Sequence, residues 1–304
     1  MRILELFSGI GAVAVVAERS HEISAAVDIN HSARQVYVAN FSSPHFIQEI
    51  ASLTDERLKG FEAQLWWMSP PCQPFTRRGL RRDLEDARTR PLVRIIDAIR
   101  SVRPEHVAVE NVIGFHDSQA FTLLTEALDD SGYSFVTSEM CSSGFGLPNL
   151  RPRCFLAASR TSTPKLNHPQ PLTGKKVCEY LDECHGMNSQ AQIERWGDLA
   201  VDADKIETYR EAVNVVTPND QTTRCFTSAY GKSLIRSGSY LKLGSGYRRF
   251  SPSEVARLLG FPNEFKLPES LSTRQLWKLL GNTVSIPCAR QVVSAFCQDS
   301  KRQS

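Results

Sequence analysis

A strand, a glycine turn and a helix open this chain, and that order restricts its fold more than any other feature. Residues 2–7 read as a first strand, Ser8-Gly9-Ile10-Gly11-Ala12 as a turn, and the apolar run 13–17 as a helix. Glycines at such a turn let the backbone approach a ligand at a helix N-terminus, as in a nucleotide-binding βαβ unit. A second strand over 23–27 ends in Asp28-Ile29-Asn30, 17 residues past Gly11. An acid placed there accepts hydrogen bonds from both hydroxyls of a ribose, so the two features together imply an adenosine-bearing cofactor. The turn alone would serve NAD or FAD equally.

The alternation continues. A helix is expected over 32–40, a short third strand over 46–50 and a fourth, fully apolar strand over 65–68. An amphipathic helix over 92–102 precedes a fifth strand over 106–109, and a helix over 121–128 is closed by Ser131-Gly132. Residues 133–140 and 153–159 read as two strands that pair antiparallel. Strands alternating with helices give a doubly wound α/β domain over 1–160. The stretch 161–171 is rich in Thr, Pro and Asn and reads as a linker into a small second domain, 161–247. Ser251-Pro252-Ser253-Glu254 carries the signature of a capping box with proline at the first helical position. Helices after it, the last over 284–297, are expected to complete the first domain over 248–304.

The fourth strand runs straight into Ser69-Pro70-Pro71-Cys72-Gln73-Pro74-Phe75-Thr76. Two prolines cannot continue a ladder, so Cys72 belongs at a strand's carboxyl edge, where open α/β sheets bind their ligands. A thiol there is a candidate nucleophile, and the arginines that follow, Arg77, Arg78, Arg81 and Arg82, favour thiolate. A lone cysteine is more often a small buried hydrophobe.

Charge is segregated. Residues 77–103 hold nine arginines against four acids, and 224–249 hold six basic residues and no acid, whereas 179–211 hold nine acids and three bases. This pattern suggests a polyanion on one side of the molecule, which the net charge of +3 alone would not. Eight scattered cysteines fit reduced thiols, and Cys178 with Cys184-His185 lacks a second ligand pair, so no metal is expected. No apolar run approaches a membrane span and no signal-peptide pattern opens the chain, so a cytoplasmic protein is expected; a monomer is expected as well.

Six motifs in order make the chain resemble the cytosine-C5 methyltransferases. They are Phe7-Ser8-Gly9-Ile10-Gly11 with Asp28, Pro70-Pro71-Cys72-Gln73, Glu110-Asn111-Val112, Asn149-Leu150-Arg151-Pro152-Arg153, Gly260-Phe261-Pro262 and Leu280-Gly281-Asn282. The chain is most similar to the tRNA-aspartate branch, historically classed as type two DNA methyltransferase homologues. That branch reads Pro-Pro-Cys-Gln-Pro-Phe-Thr at the nucleophile, as here from Pro70 to Thr76, and carries Cys-Phe-Thr, here Cys225-Phe226-Thr227. Gln64 and Ala51 depart from the family pattern.

The resemblance implies a Rossmann-like class I fold with a small target recognition domain, S-adenosylmethionine as cofactor, and tRNA as substrate, with duplex DNA the alternative. It implies Cys72 as nucleophile, Glu110 as the group that protonates or hydrogen-bonds cytosine N3, and Arg151 and Arg153 as holders of the base, of Glu110 and of phosphate. Phe7 would lie against the adenine and Asp28 on the ribose. The Ile10-Gly11-Ala12 amides with Asn282 and Thr283 would surround the methionine end, and Gly9, Ile29, Ile50 and Ser69 would complete the cofactor set. Nucleic acid is expected to meet Arg77, Arg78, Arg81, Arg88, Arg224, Cys225, Phe226, Thr227, Tyr230 and Lys232. Tyr240 and Tyr247 suit the same surface, although aromatics in a small domain also serve as its core.

Overall fold

The apolar runs of the first half become strands with no exposed face. The computed structural model describes all residues except 19, 76–82, 168–173, 183–195 and 298–304. Its main sheet contains β1 (Arg2–Leu6), β2 (Glu22–Asp28), β3 (His45–Ile47), β4 (Leu65–Met68), β5 (His106–Asn111), β6 (Ser134–Cys141) and β8 (Pro152–Ser159), in the order β3-β2-β1-β4-β5-β8-β6. The short β7 (Asn149–Leu150) lies outside it. The first five strands run parallel and β8 returns antiparallel to β5. Every residue of β4 and β5 is buried, as expected of strands covered on both faces.

Helices cover both faces. They are α1 (Ala12–Ala17), α2 (His31–Asn40), α3 (Asp55–Lys59), α4 (Arg90–Val102) and α5 (Gln119–Asp130). Ile95, Ile96 and Ile99 of α4 join Leu124 and Leu128 of α5 over Val107, Val109, Leu156 and Ala158 of the sheet. Helix α1 packs against the late helix Ile286–Ser294. Strand order reverses between β1 and β4, which makes their carboxyl ends the ligand-binding edge of such a sheet.

Several expected element bounds shift. The third strand is His45–Ile47 rather than 46–50, because Ile50–Ser52 turns into a 3-10 helix whose Ile50 side chain enters the core. Helix α2 starts at His31, where Asn30 caps it by accepting from the Ser32 and Ala33 amides. The described residues also group differently from 1–160, 161–247 and 248–304. One unit takes those within Met1–Met140, Pro152–His168 and Ile286–Ser304, and the other those within Cys141–Arg151 and Pro169–Ser285. In the second unit β9 (Ala200–Val201), β10 (Asn214–Val216), β12 (Ser239–Leu243) and β13 (Gly246–Arg249) form a sheet ordered β10-β12-β13-β9, and β11 (Thr223–Arg224) pairs with β7. Among the described residues no helix is long and apolar enough to cross a membrane.

One buried acid holds the opening βα unit together. Glu5, 1% exposed, accepts from the Val13 amide at the start of α1 (3.2 Å) and from the Tyr37 hydroxyl of α2 (3.4 Å). Burial pushes its carboxyl up to about 8, partly opposed by the Val13 amide. The folded protein therefore holds a proton that the unfolded chain releases near pH 4.5. The resulting stabilisation is complete below that pH and is lost as pH rises through about 8. Glu5→Gln is expected to flatten this slope, which in wild type amounts to about a few kcal/mol. Urea unfolding at pH 5 and pH 8.5 checks it, and equal slopes in both proteins would refute the assignment.

Candidate active site

The fourth strand delivers Cys72 as its composition requires. Trp67 donates its indole N–H to Ser69 Oγ (3.0 Å), and the two prolines then end the ladder. Asn111, 2% exposed at the end of β5, donates its Nδ2 hydrogen to the Pro70 carbonyl (3.1 Å), fixing the approach to the thiol. On the far side the Phe75 amide donates to the Cys72 carbonyl (3.0 Å), and the Phe75 ring packs edge-on against Phe115 at 4.9 Å. Cys72 is half-buried between these two anchors. Gly114 allows this packing, since a Cβ there would stand 2.7 Å from the Phe75 carbonyl oxygen.

Glu110 stands on the neighbouring strand at the same sheet edge. Its side chain is 9% exposed, and Arg153 Nε lies 3.2 Å from its Oε1. The antiparallel register of β5 with β8 brings them together, because Glu110 faces Phe155 and Arg153 lies two residues earlier on the same side. Arg153 also donates to the Pro152 carbonyl at 2.8 Å. Arg88 is exposed, pairs with Asp86 at 2.8 Å, and interacts electrostatically with Cys72. Arg77, Arg78 and Arg81 lie outside the described residues.

Arg151 lies deep in the second unit. Its guanidinium is buried (2% exposed) and donates to the carbonyls of Phe226 (2.9 Å), Gly281 (3.0 Å) and Thr283, with Cys225 Sγ at 3.3 Å. Arg151 thus clamps Cys225-Phe226 to the segment Gly281–Thr283 inside the second unit. Gly281 is required there, because a Cβ would meet the Thr227 backbone at 2.2 Å.

The glycine turn forms a cradle on the first unit. Gly9 has φ +54° and open space where a Cβ would point, and its amide donates to Asp28 Oδ2 at 2.8 Å. The Asn30 amide donates to Asp28 Oδ1, also at 2.8 Å. Burial raises the Asp28 carboxyl, and these backbone N–H groups pull it back. Ile29 beside it is 64% exposed. Phe7 sits at φ 56°, a strained conformation for an aromatic residue. An open glycine, a half-buried carboxylate and an exposed isoleucine fit an adenosine.

Gly11 differs from Gly9. A Cβ there would meet the Phe41 ring at 2.5 Å, and its amide is spent on the Ser8 carbonyl (3.0 Å), so it serves packing and turn closure. The Ile10 and Ala12 side chains are buried. In the second unit Asn282 is exposed and Thr283 buried.

Two expected nucleic-acid contacts are core residues. Phe226 and Tyr230, each 1% exposed, pack edge-on at 5.0 Å, and Tyr230 also meets Trp277 at 5.3 Å. The Tyr230 hydroxyl donates to the Ser239 carbonyl (2.8 Å) and accepts from the Phe250 amide (3.0 Å). A small unit needs large rings to build an interior, and buries each hydroxyl only with a partner. Tyr240 is buried too. Arg224 and Lys232 are exposed, whereas Cys225 and Thr227 are half-buried. Among the described residues no cluster of three or more His, Cys, Asp or Glu is placed to hold a metal.

A glycine cradle and a thiol at the switch point of a doubly wound sheet define a class I S-adenosylmethionine-dependent methyltransferase fold. The chain belongs to the C-5 cytosine-specific DNA methylase family, which matches residues 1–298. It is 27% identical to the tRNA (cytosine(38)-C(5))-methyltransferase of Mus musculus, over 98% of this chain and 94% of that protein. It is 28% identical to the DNA (cytosine-5)-methyltransferase of Dictyostelium discoideum, over 97% and 94%. The crystal structure of the S. pombe Dnmt2 methyltransferase superposes with a TM-score of 0.83 at 26% identity, covering 97% of each chain. S-adenosylmethionine is accordingly the cofactor.

Proposed function

We propose that the chain methylates C5 of a cytosine in a tRNA anticodon loop, of the tRNA-aspartate type, through a covalent adduct between Cys72 and cytosine C6. The observation that carries the chemistry is the ion pair of buried Glu110 with Arg153 at the sheet edge shared with Cys72. C5 of cytosine is a poor nucleophile within an aromatic ring. Attack of the Cys72 thiolate on C6 breaks the aromaticity and makes C5 enamine-like, dividing one hard step into easier ones. Glu110 hydrogen-bonds or protonates N3, giving the displaced electrons a destination, and Arg153 orients Glu110 and reaches the base carbonyl. S-adenosylmethionine supplies the methyl group. Loss of the C5 proton to a base then expels Cys72 as thiolate and restores the ring.

RNA is favoured over DNA by Pro74-Phe75-Thr76 and Cys225-Phe226-Thr227, and by full-length similarity to enzymes named for tRNA cytosine 38. An unpaired loop base is also cheaper to extrude than one stacked in a duplex. Exposed Arg224, Lys232 and Arg236 suit phosphate contacts on the second unit. The second reading, duplex DNA, has the Dictyostelium relative in its favour. Tritiated methyl transfer to total tRNA and to duplex DNA separates them: incorporation into tRNA is expected, and incorporation into DNA alone would overturn the RNA reading.

A further inference from the structure

A row of side chains crosses the main sheet next to the glycine turn. In the parallel registers of β1 with β2 and of β2 with β3, Glu5 stands opposite Ala26 and Ala26 opposite His45, so the three share one face. Ala26 in the middle is small, and Tyr37 of α2 bridges the two residues beside it. The Tyr37 hydroxyl donates to Glu5 Oε2 (3.4 Å), and the Tyr37 ring lies 4.6 Å from the His45 imidazole. Glu5, Tyr37 and His45 are all buried.

His45 also reaches the turn itself. Its Nε2 and Ser8 Oγ share a buried hydrogen bond of 3.2 Å. Ser8 is thereby fixed at three points: its amide donates to the Val27 carbonyl (3.2 Å), its carbonyl accepts from the Gly11 amide (3.0 Å), and its hydroxyl meets His45. The residues on either side of Ser8 both have positive φ, Phe7 at 56° and Gly9 at 54°. A phenylalanine keeps such a conformation only where its surroundings over-determine it. Two of the three ties are backbone bonds, and the third is supplied by a side chain from β3. Burial, then the charge of Arg34, push the His45 imidazole down to about 4, so near pH 7 it is an uncharged partner for a hydroxyl.

We propose that His45 is a positioning residue for the methyl donor: through Ser8 it holds the strained Phe7–Gly9 turn in place before S-adenosylmethionine arrives. It acts through Ser8 and is no catalytic group. The proposal concerns the cofactor and holds whichever nucleic acid is methylated. Without this tie the turn occupies its binding-competent form only part of the time, and the dissociation constant rises by the inverse of that fraction. The complex, once formed, has the same geometry. Weaker cofactor binding at unchanged kcat is therefore the signature of the role.

The test measures the Kd of S-adenosylmethionine by calorimetric titration in Ser8→Ala, His45→Phe and the double variant. It adds kcat at saturating cofactor, on whichever nucleic acid the tritium assay shows to be methylated. Phenylalanine keeps a ring against Tyr37 and removes the hydrogen bond, and Ser8→Ala removes one oxygen, so it reads the bond even if His45→Phe does not fold. Each single variant is expected to raise Kd about tenfold, the value of a buried hydrogen bond whose other partner is left unpaired, with kcat within about twofold of wild type. The double variant is expected to bind no more weakly than either single one, because both changes remove the same bond. Cofactor affinity unchanged in folded Ser8→Ala, losses that multiply in the double variant, or a fall in kcat at saturating cofactor would overturn the proposal.

Discussion

Cys72→Ala is expected to bring methyl transfer to tRNA below detection, a loss on the order of 10³-fold or greater, while S-adenosylmethionine binds as in wild type. The expectation follows from what anchors the loop. Asn111 holds the Pro70 carbonyl and Phe75 sits in the core, and neither anchor uses the thiol. Removing Sγ therefore deletes the nucleophile and leaves its setting intact. Calorimetric titration with cofactor, run beside the tritium assay, reads the two properties separately. Appreciable turnover in the variant would end the covalent mechanism.

The two arginines of Arg151-Pro152-Arg153 are expected to fail in opposite ways. Arg151→Ala leaves three buried carbonyls without their donor, those of Phe226, Gly281 and Thr283, at a cost of about 3–5 kcal/mol. Arg151→Lys restores little, because a single ammonium cannot span the geometry of a guanidinium fork. Arg153→Ala should keep its fold, since the side chain is 15% exposed and bridges Glu110 and a neighbouring carbonyl. Its kcat should instead fall by about 10²-fold, as Glu110 loses the group that orients it. Urea denaturation combined with kcat decides the matter. A stable Arg151→Lys with a purely catalytic defect would restore Arg151 to the reaction and refute the clamp.

These two residues also mark where the sequence stops being legible. The β-α alternation, the place of Cys72 and the capping box at Ser251 could be read locally, because each depends on periodicity, proline or a three-residue spacing. The box is present, with Ser251 accepting from the Glu254 amide at 3.1 Å and the Ser251 amide donating to Glu254 at 2.7 Å. The same Glu254 also forms a buried ion pair with Arg248 at 2.7 Å, which no spacing rule announces. Arg151 and Arg153 look equivalent as a motif, yet the carbonyls that claim Arg151 lie 75, 130 and 132 residues away. Phe226 and Tyr230 misled for a related reason. Aromatics interleaved with cations describe a nucleic-acid surface and a small core equally well, and only burial separates them. Gly9 and Gly11 share one turn, but the rings of Tyr37 in α2 and Phe41 just past its end crowd the second and leave the first open.

The most direct measurement of the central claim uses tRNA whose target cytosine carries fluorine at C5. After thiol addition and methyl transfer no C5 proton remains to be removed, so the enzyme stays joined to its substrate. The account predicts a denaturant-stable protein–tRNA complex that requires S-adenosylmethionine, maps to Cys72 by peptide mass, and is absent from Cys72→Ala. No complex, attachment at another residue, or trapping by fluorinated duplex DNA but not by tRNA would contradict it.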